Sequence, residues 1–285
     1  MRLSLLETSF WYTGVLRAAG LAYGAVPAAV RMVQWADAHH GEPEALGHGF
    51  LARRRAQLAC DATAPRLTGT GEPVVTIDGA GQSSLLVGPG ALDLVTVQAR
   101  ARGVGAAVLT NVSDLAWVGS LASHAAGRGF ACLLSLAGTS DDEEASDLAA
   151  LYSMARTIVA LPGDDGVRWI DFAVATANHD RLMAGADPAA TDLGADAFMP
   201  SEAPTPGVAL VCWQPDREFG DVIVAQATAA GARVHEPAAV VALDRAVIEH
   251  GIAVDDDQWR GLATHALTTV IPSSEESLAG AGGDN

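Results

Sequence analysis

Apolar side chains recur at i, i+3 and i+4 over residues 4–20 and 24–40, with Ser4 and Glu7 in capping-box spacing and Gly20 after the first run. This spacing predicts a pair of helices at the start of the chain. Leu46 to Cys60 reads as a third helix, on which Arg53-Arg54-Arg55 forms a solvated face. From Pro65 to Gly90 the pattern changes to glycine, threonine and short β-branched runs, so Val74-Val75-Thr76-Ile77 and Leu85-Leu86-Val87 read as strands around an Asp78-Gly79 turn. Gly88-Pro89-Gly90 opens a helix through Arg102, Gly103 ends it, and Val104 to Thr110 is an apolar strand, which completes a strand-helix-strand unit. A helix over 117–128, a strand from Phe130 to Leu136, and a helix from the acidic run Asp141-Asp142-Glu143-Glu144 to Arg156 follow. Thr157 to Leu161 and Val167 to Ala173 are strands joined by a Pro162-to-Gly166 turn, and residues 178–206 read as a polar loop region. Val208 to Trp213, a helix at 217–230, a strand at 232–235 and helices at 237–250 and 256–267 complete the chain. Alternation of this kind predicts an α/β sandwich with helices at both ends: a helical segment over 1–62, a sheet domain over 63–236 and a helical segment and tail over 237–285, forming one compact unit.

Composition narrows the chemistry. The 285 residues are 49% apolar and 18% charged, enough to bury a sizeable core. All 17 basic residues are arginines, which excludes Schiff-base and pyridoxal chemistry on a lysine and any Walker A loop. A formal charge of −17 opposes binding to nucleic acid, which depends on neutralising phosphates. Cys60, Cys132 and Cys212 are odd in number and far apart, so they read as buried thiols in a reducing cytoplasm. Glu7 interrupts the first apolar stretch, and no window of about 18 unbroken apolar residues follows, so neither an export signal nor a membrane span is expected.

Two clusters carry candidate chemistry. His39, His40 and His48, with Asp37 and Glu44 nearby, could move protons or ligate a metal, although the polar end of a helix accounts for His39 and His40 equally well. His48 lies between Gly47 and Gly49, which permit close approach of a ligand. Asn111-Val112-Ser113-Asp114 follows an apolar strand and precedes a helix, where α/β sheets present binding groups; the alternative is that Ser113 or Asp114 caps that helix. No G-x-S-x-G occurs, Gly81-Gln82-Ser83-Ser84-Leu85 lacking the last glycine, and no G-x-G-x-x-G joins a strand to a helix. Serine-hydrolase and ordinary Rossmann readings therefore have no support.

In ordered segments the chain resembles the type-2 malate/L-lactate dehydrogenase family. The segments are Arg17-Ala18-Ala19-Gly20, Ala36-Asp37, Ala99-Arg100-Ala101-Arg102-Gly103-Val104-Gly105, Asn111, Ala125-Ala126-Gly127-Arg128-Gly129, Ala160-Leu161-Pro162-Gly163, Trp169-Ile170-Asp171 and Glu249-His250-Gly251-Ile252-Ala253-Val254 with Trp259 and Leu262. The end, from Ile271-Pro272 to Gly282, is most similar to an uncharacterised bacterial branch related to these enzymes.

The resemblance implies a non-Rossmann α/β fold of the sulfolactate-dehydrogenase type, a mixed sheet flanked by helices. It further implies NAD or NADP as cofactor with no metal, a small carboxylate as ligand, and a homodimer or another protein subunit as partner. Under this resemblance His48, reached with a short insertion, is the candidate proton donor and Asp114 the second catalytic candidate, which orients it or binds substrate; Asn111 and Ser113, by their place after the strand, are the substrate-contact candidates. Departures are specific: without a gap Glu44 falls at the family's histidine, Asp114 stands at a second histidine, and Met154-Ala155-Arg156-Thr157 replaces the Gly-Thr-Asn-Pro cofactor segment. The family's lysine-glycine segment has no counterpart in a lysine-free chain. The expectation is an oxidoreductase-like protein for 2-oxo, 2-hydroxy or cyclic imino acids, or a degenerate member serving as a partner or regulatory subunit.

Overall fold

The computed structural model describes residues 1–40, 63–69, 74–138, 156–188 and 195–267. Helix α1 (Leu5–Ala18) starts at Ser4, whose side chain accepts from the Glu7 amide at 3.2 Å while Glu7 returns a bond to the Ser4 amide at 2.8 Å, the predicted capping box. Helix α2 (Val26–His40) packs beside it. The predicted helix over Leu46 to Cys60 and the acidic run Asp141 to Glu144 lie outside the described residues, as does His48.

Among the described residues one mixed sheet of eight strands has the order β2-β3-β4-β8-β5-β6-β7-β9. These strands are β2 (Arg66–Gly69), β3 (Val74–Asp78), β4 (Val104–Thr110), β5 (Ala131–Ala137), β6 (Arg156–Gly163), β7 (Gly166–Phe172), β8 (Gly207–Trp213) and β9 (Arg233–His235). A two-stranded ribbon of β1 (Arg2–Leu3) and β10 (Ile252–Ala253) joins the two ends of the described chain.

The central strands read as unbroken apolar runs because both faces of the sheet are covered. Their side chains alternate between two cores. Ala107, Leu109, Cys132, Leu134, Leu210 and Cys212 enter the larger core, beneath α1, α2, α3 (Ser84–Arg102) and α4 (Gly119–Gly127). Ala106, Val108, Leu133, Ala209 and Val211 enter the smaller one, with residues of α5 (Ala177–Met183) and α6 (Arg217–Ala229). Helix α7 (Pro237–His250) lies against β7, and α8 (Asp256–Leu267) packs on α1, where Trp259 meets Trp11 edge-on at 5.8 Å. None of these helices is long and apolar enough to cross a membrane.

Three sequence expectations are corrected. Leu85-Leu86-Val87 is the first turn of α3, not a strand: the Ser83 hydroxyl accepts from the Leu85 amide at 3.2 Å and starts the helix there. Asp78-Gly79 accordingly joins β3 to α3 and is not a hairpin turn, and β3 runs parallel to β4 across the α3 crossover. Residues 178–206 include all but the first residue of α5 and a short 3-10 helix, Ala195–Phe198, held because Leu182 and Phe198 are buried in the smaller core.

Candidate functional site

Strands β3 and β4 end side by side, and the segments that leave them are sewn together. The amides of Gly79 and Gly81 donate to the carbonyls of Thr110 and Asn111, both at 2.8 Å. In return the Ser113 amide donates to the Gln82 carbonyl at 3.0 Å, and the Ser84 amide to the Ser113 carbonyl at 2.9 Å. The sequence places these loops about thirty residues apart; only the parallel register of β3 and β4, with Asp78 opposite Thr110, makes them one structure.

Side chains complete the joint. The Asp78 carboxylate accepts from the Ala80 amide at 2.9 Å and from the Asn111 side-chain amide at 3.2 Å. The Ser113 hydroxyl donates to the Gly81 carbonyl at 3.2 Å, and the Ser84 hydroxyl to the Asp114 carbonyl at 2.5 Å. Gly79 is required here, since a Cβ would stand 2.5 Å from Val112 Cγ2 and 2.8 Å from the Asn111 carbonyl oxygen.

Ala80, Asn111 and Asp114 have φ of 52°, 51° and 59°, and they are the non-glycine residues in the left-handed region among those described. Asparagine and aspartate tolerate this conformation, whereas an alanine there costs about 1–2 kcal/mol. Such strain persists only where the surrounding bonds over-determine it.

The structure thus brings Asn111, Ser113 and Asp114 together, and adds Asp78, which sequence reasoning assigned to a turn. Asn111 is exposed, Ser113 half-buried, and Asp114 buried at 3% relative exposure. The capping alternative is not what these residues do. Asp114 makes no side-chain cap bond to the 3-10 helix Leu115–Trp117, and the Ser113 hydroxyl bonds across to the neighbouring loop. A signal for Asp78 was present in its placement at the end of a β-branched run, just before a Gly-Gln-Ser-Ser helix start.

His39 does not behave as a free proton carrier. Its Nδ1–H donates to the Trp35 carbonyl at 2.8 Å, and its ring stacks on Trp35 with centroids 4.3 Å apart. Burial, the main cause, pushes its pKa below the ordinary histidine value, against the smaller raising effects of that bond and of Asp244. Among the described residues no group of three or more histidine, cysteine, aspartate or glutamate side chains could hold a metal ion.

The replaced cofactor segment falls partly inside the described chain. Arg156 is held by Asp171 through a two-pronged pair at 2.8 and 2.5 Å. Thr157 is fully buried and shares a 2.7 Å hydroxyl bond with Ser135. The polar groups of these two positions bond to protein partners, so neither is assigned a contact to a nicotinamide nucleotide. A buried polar cluster adjoins them: Thr176 donates its amide to the Thr157 hydroxyl at 3.2 Å, and His179 meets the Thr205 carbonyl at 2.6 Å.

Comparison with solved structures places this architecture. Malate dehydrogenase from Entamoeba histolytica matches with a TM-score of 0.64 at 10% identity, over 95% of this chain and 99% of that one. Sulfolactate dehydrogenase from Methanocaldococcus jannaschii matches at 0.60 and 14% identity, over 94% and 97%. The chain has the fold of these dehydrogenases. Delta1-piperideine-2-carboxylate reductase from Pseudomonas syringae matches at 0.59 and 13% identity, over 93% and 99%. No protein-family profile matches the sequence, and no curated protein does. The likeness is one of fold, at 10–14% identity over 93–95% of this chain.

Proposed function

We propose that this chain is an oxidoreductase-like protein that acts on a small carboxylate, a 2-oxo acid, 2-hydroxy acid or cyclic imino acid, with NAD or NADP as the hydride partner. The observation that carries the reading is the likeness of fold over at least 93% of the chain to dehydrogenases and a reductase named for malate, sulfolactate and delta1-piperideine-2-carboxylate. Adding hydride to a carbonyl or imine also requires a proton donor within hydrogen-bond reach of the accepting atom. His48 takes that role in this reading. Asn111 and Ser113, on the sewn double loop, contact substrate, and Asp114 is a positioning residue that fixes the turn presenting them.

Replacing His48 with alanine is expected to lower turnover about 10²–10⁴-fold, the usual contribution of a general acid, while the melting temperature stays within about 2 °C. The assay follows oxidation of NADH or NADPH with a panel of 2-oxo and cyclic imino acids. Equal turnover in the variant and the unmodified protein removes His48 from the reaction.

A second reading has its own support in the Arg156–Asp171 pair, which occupies part of the family's cofactor segment. In that reading the chain keeps the fold without the chemistry and serves as a subunit, in an isologous homodimer or with another protein. It requires a stable complex recovered from cells and no affinity for either nucleotide.

A further inference from the structure

Cys132 and Cys212 stand directly opposite each other on β5 and β8, the two central strands of the sheet. Both are free and fully buried, and both side chains enter the larger core. Their flanking neighbours in the same row are small, Gly105 beside Cys212 and Ala160 beside Cys132.

The hydrogen-bond phase of the sheet fixes how closely the two approach. The Gln214 amide donates to the Gly103 carbonyl at 3.3 Å, so the peptide groups of Gln214 and Cys212 face β4 and those of Trp213 face β5. Cys132 and Cys212 are therefore a non-hydrogen-bonded pair, the closer of the two antiparallel arrangements, with Cα atoms about 4.5 Å apart. A disulfide spans Cα separations of roughly 4.4–6.8 Å, so this backbone already stands at bonding distance. Burial, the main cause, together with the adjoining Cys212 thiol, pushes the Cys132 thiol up, which keeps it protonated and unreactive while the sheet is closed.

A route to the sulfurs lies at the end of the two strands. The outermost pair, Ala131 and Trp213, lines a surface cleft of about 360 Å³ on the opposite face of the sheet. Local parting of that last pair is enough to admit water and a small oxidant to the next pair in.

We propose that Cys132 and Cys212 form a redox pair, a dithiol in reducing surroundings that a hydroperoxide closes to a disulfide between β5 and β8. One thiolate attacks the peroxide, the O–O bond breaks, and a sulfenic acid and water result. The second sulfur then attacks the first: the S–S bond forms, the S–O bond breaks, and the hydroxyl leaves as water with the second thiol's proton. Two thiols are oxidised to one disulfide while hydrogen peroxide is reduced to two waters, and a thiol reductant reverses the closure. The loop so closed holds β6, β7, α5 and nearly all of β8, about 80 residues, a length at which a cross-link strongly constrains the unfolded chain. The pair needs no turnover, nucleotide or carboxylate, so it stands apart from the oxidoreductase reading.

Treatment of the full chain with hydrogen peroxide, in urea below the unfolding transition to favour local opening, tests the pair. Thiols counted after denaturation are expected to fall from three to one. Trypsin cuts at Arg66, Arg128, Arg156 and Arg181 and so leaves each cysteine on its own peptide. Peptides 129–156 and 182–217 are expected to be joined, with a mass about 2 Da below their sum. The urea midpoint of the linked chain is expected to rise by about 0.5–1 M and to return on reduction, whereas that of Cys132→Ala does not respond to peroxide. The proposal is overturned by three thiols remaining, by a link that includes Cys60, by sulfinic acid forming without a link, by a linked chain whose midpoint is unchanged or lower, or by an equal rise in Cys132→Ala.

Discussion

Replacing Gly105 with alanine is expected to destabilise the protein by about 3 kcal/mol, at the upper end of what overpacking a core usually costs. Gly105 is the second residue of β4, directly beneath α3. A Cβ there would stand 2.2 Å from the Val95 carbonyl oxygen, 2.7 Å from Gln98 Cβ and 2.9 Å from the Ala99 amide nitrogen. Two of these neighbours are helix backbone, so no side-chain rotation relieves the clash. Helix α3 cannot lift away cheaply either, because Leu85, Leu92, Val95 and Ala99 are fixed in the larger core. Urea denaturation of the two proteins measures the effect as a lower midpoint at constant slope. A change below about 0.5 kcal/mol would mean that α3 does not rest on β4 as described. Since β4 also carries Asn111 to Asp114, the same substitution disturbs the double loop at a distance.

Acid should weaken the fold through His124. This residue of α4 is shifted to a pKa of about 4, chiefly by burial and secondarily by Arg31 and Arg128. Unfolding returns it to an ordinary value of about 6.5. Between these two values the unfolded chain binds the proton and the folded chain does not, so stability falls as the pH drops from about 6.5 to about 4. Two and a half pKa units correspond to roughly 3 kcal/mol; allowing for partial solvent access, the loss is about 2–3 kcal/mol. His39, whose pKa is also lowered, acts in the same direction. Urea unfolding at pH 7 and pH 4.5 is expected to show a steeper loss in the original chain than in His124→Gln, which lacks the titrating group. Parallel pH profiles would contradict the assignment.

Local pattern made much of this fold legible. The apolar runs from Val104 to Thr110, Phe130 to Leu136 and Val208 to Trp213 announced strands, and Ser4 with Glu7 announced the start of α1. A three-residue run such as Leu85-Leu86-Val87 carries no usable period, and the Ser83 cap that decides its fate was a weaker signal than its apolarity. Strand order was beyond reach, since the insertion of β8 between β4 and β5 depends on pairings between residues about 70 to 110 positions apart.

The site divides in the same way. Asn111, Ser113 and Asp114 stood out by position, because the end of an apolar strand is a local feature. Asp78 also ends a β-branched run, but its bond to Asn111 lies across two parallel strands and no spacing announces it. His39 attracted a chemical reading from its neighbour His40, while the Trp35 and Trp169 rings that enclose it come together only through packing. Cys132 and Cys212 likewise read as separate thiols until strand pairing sets them side by side.

The central claim, an oxidoreductase-like protein on a dehydrogenase-type fold, is tested most directly by titrating the purified chain with NADH and NADPH. Quenching of its six tryptophans and energy transfer to the nicotinamide report binding, with calorimetry as the quantitative check. The account predicts saturable binding of one or both nucleotides with a dissociation constant on the order of micromolar. No binding of either up to roughly millimolar nucleotide would contradict it and leave the non-catalytic subunit as the reading that stands.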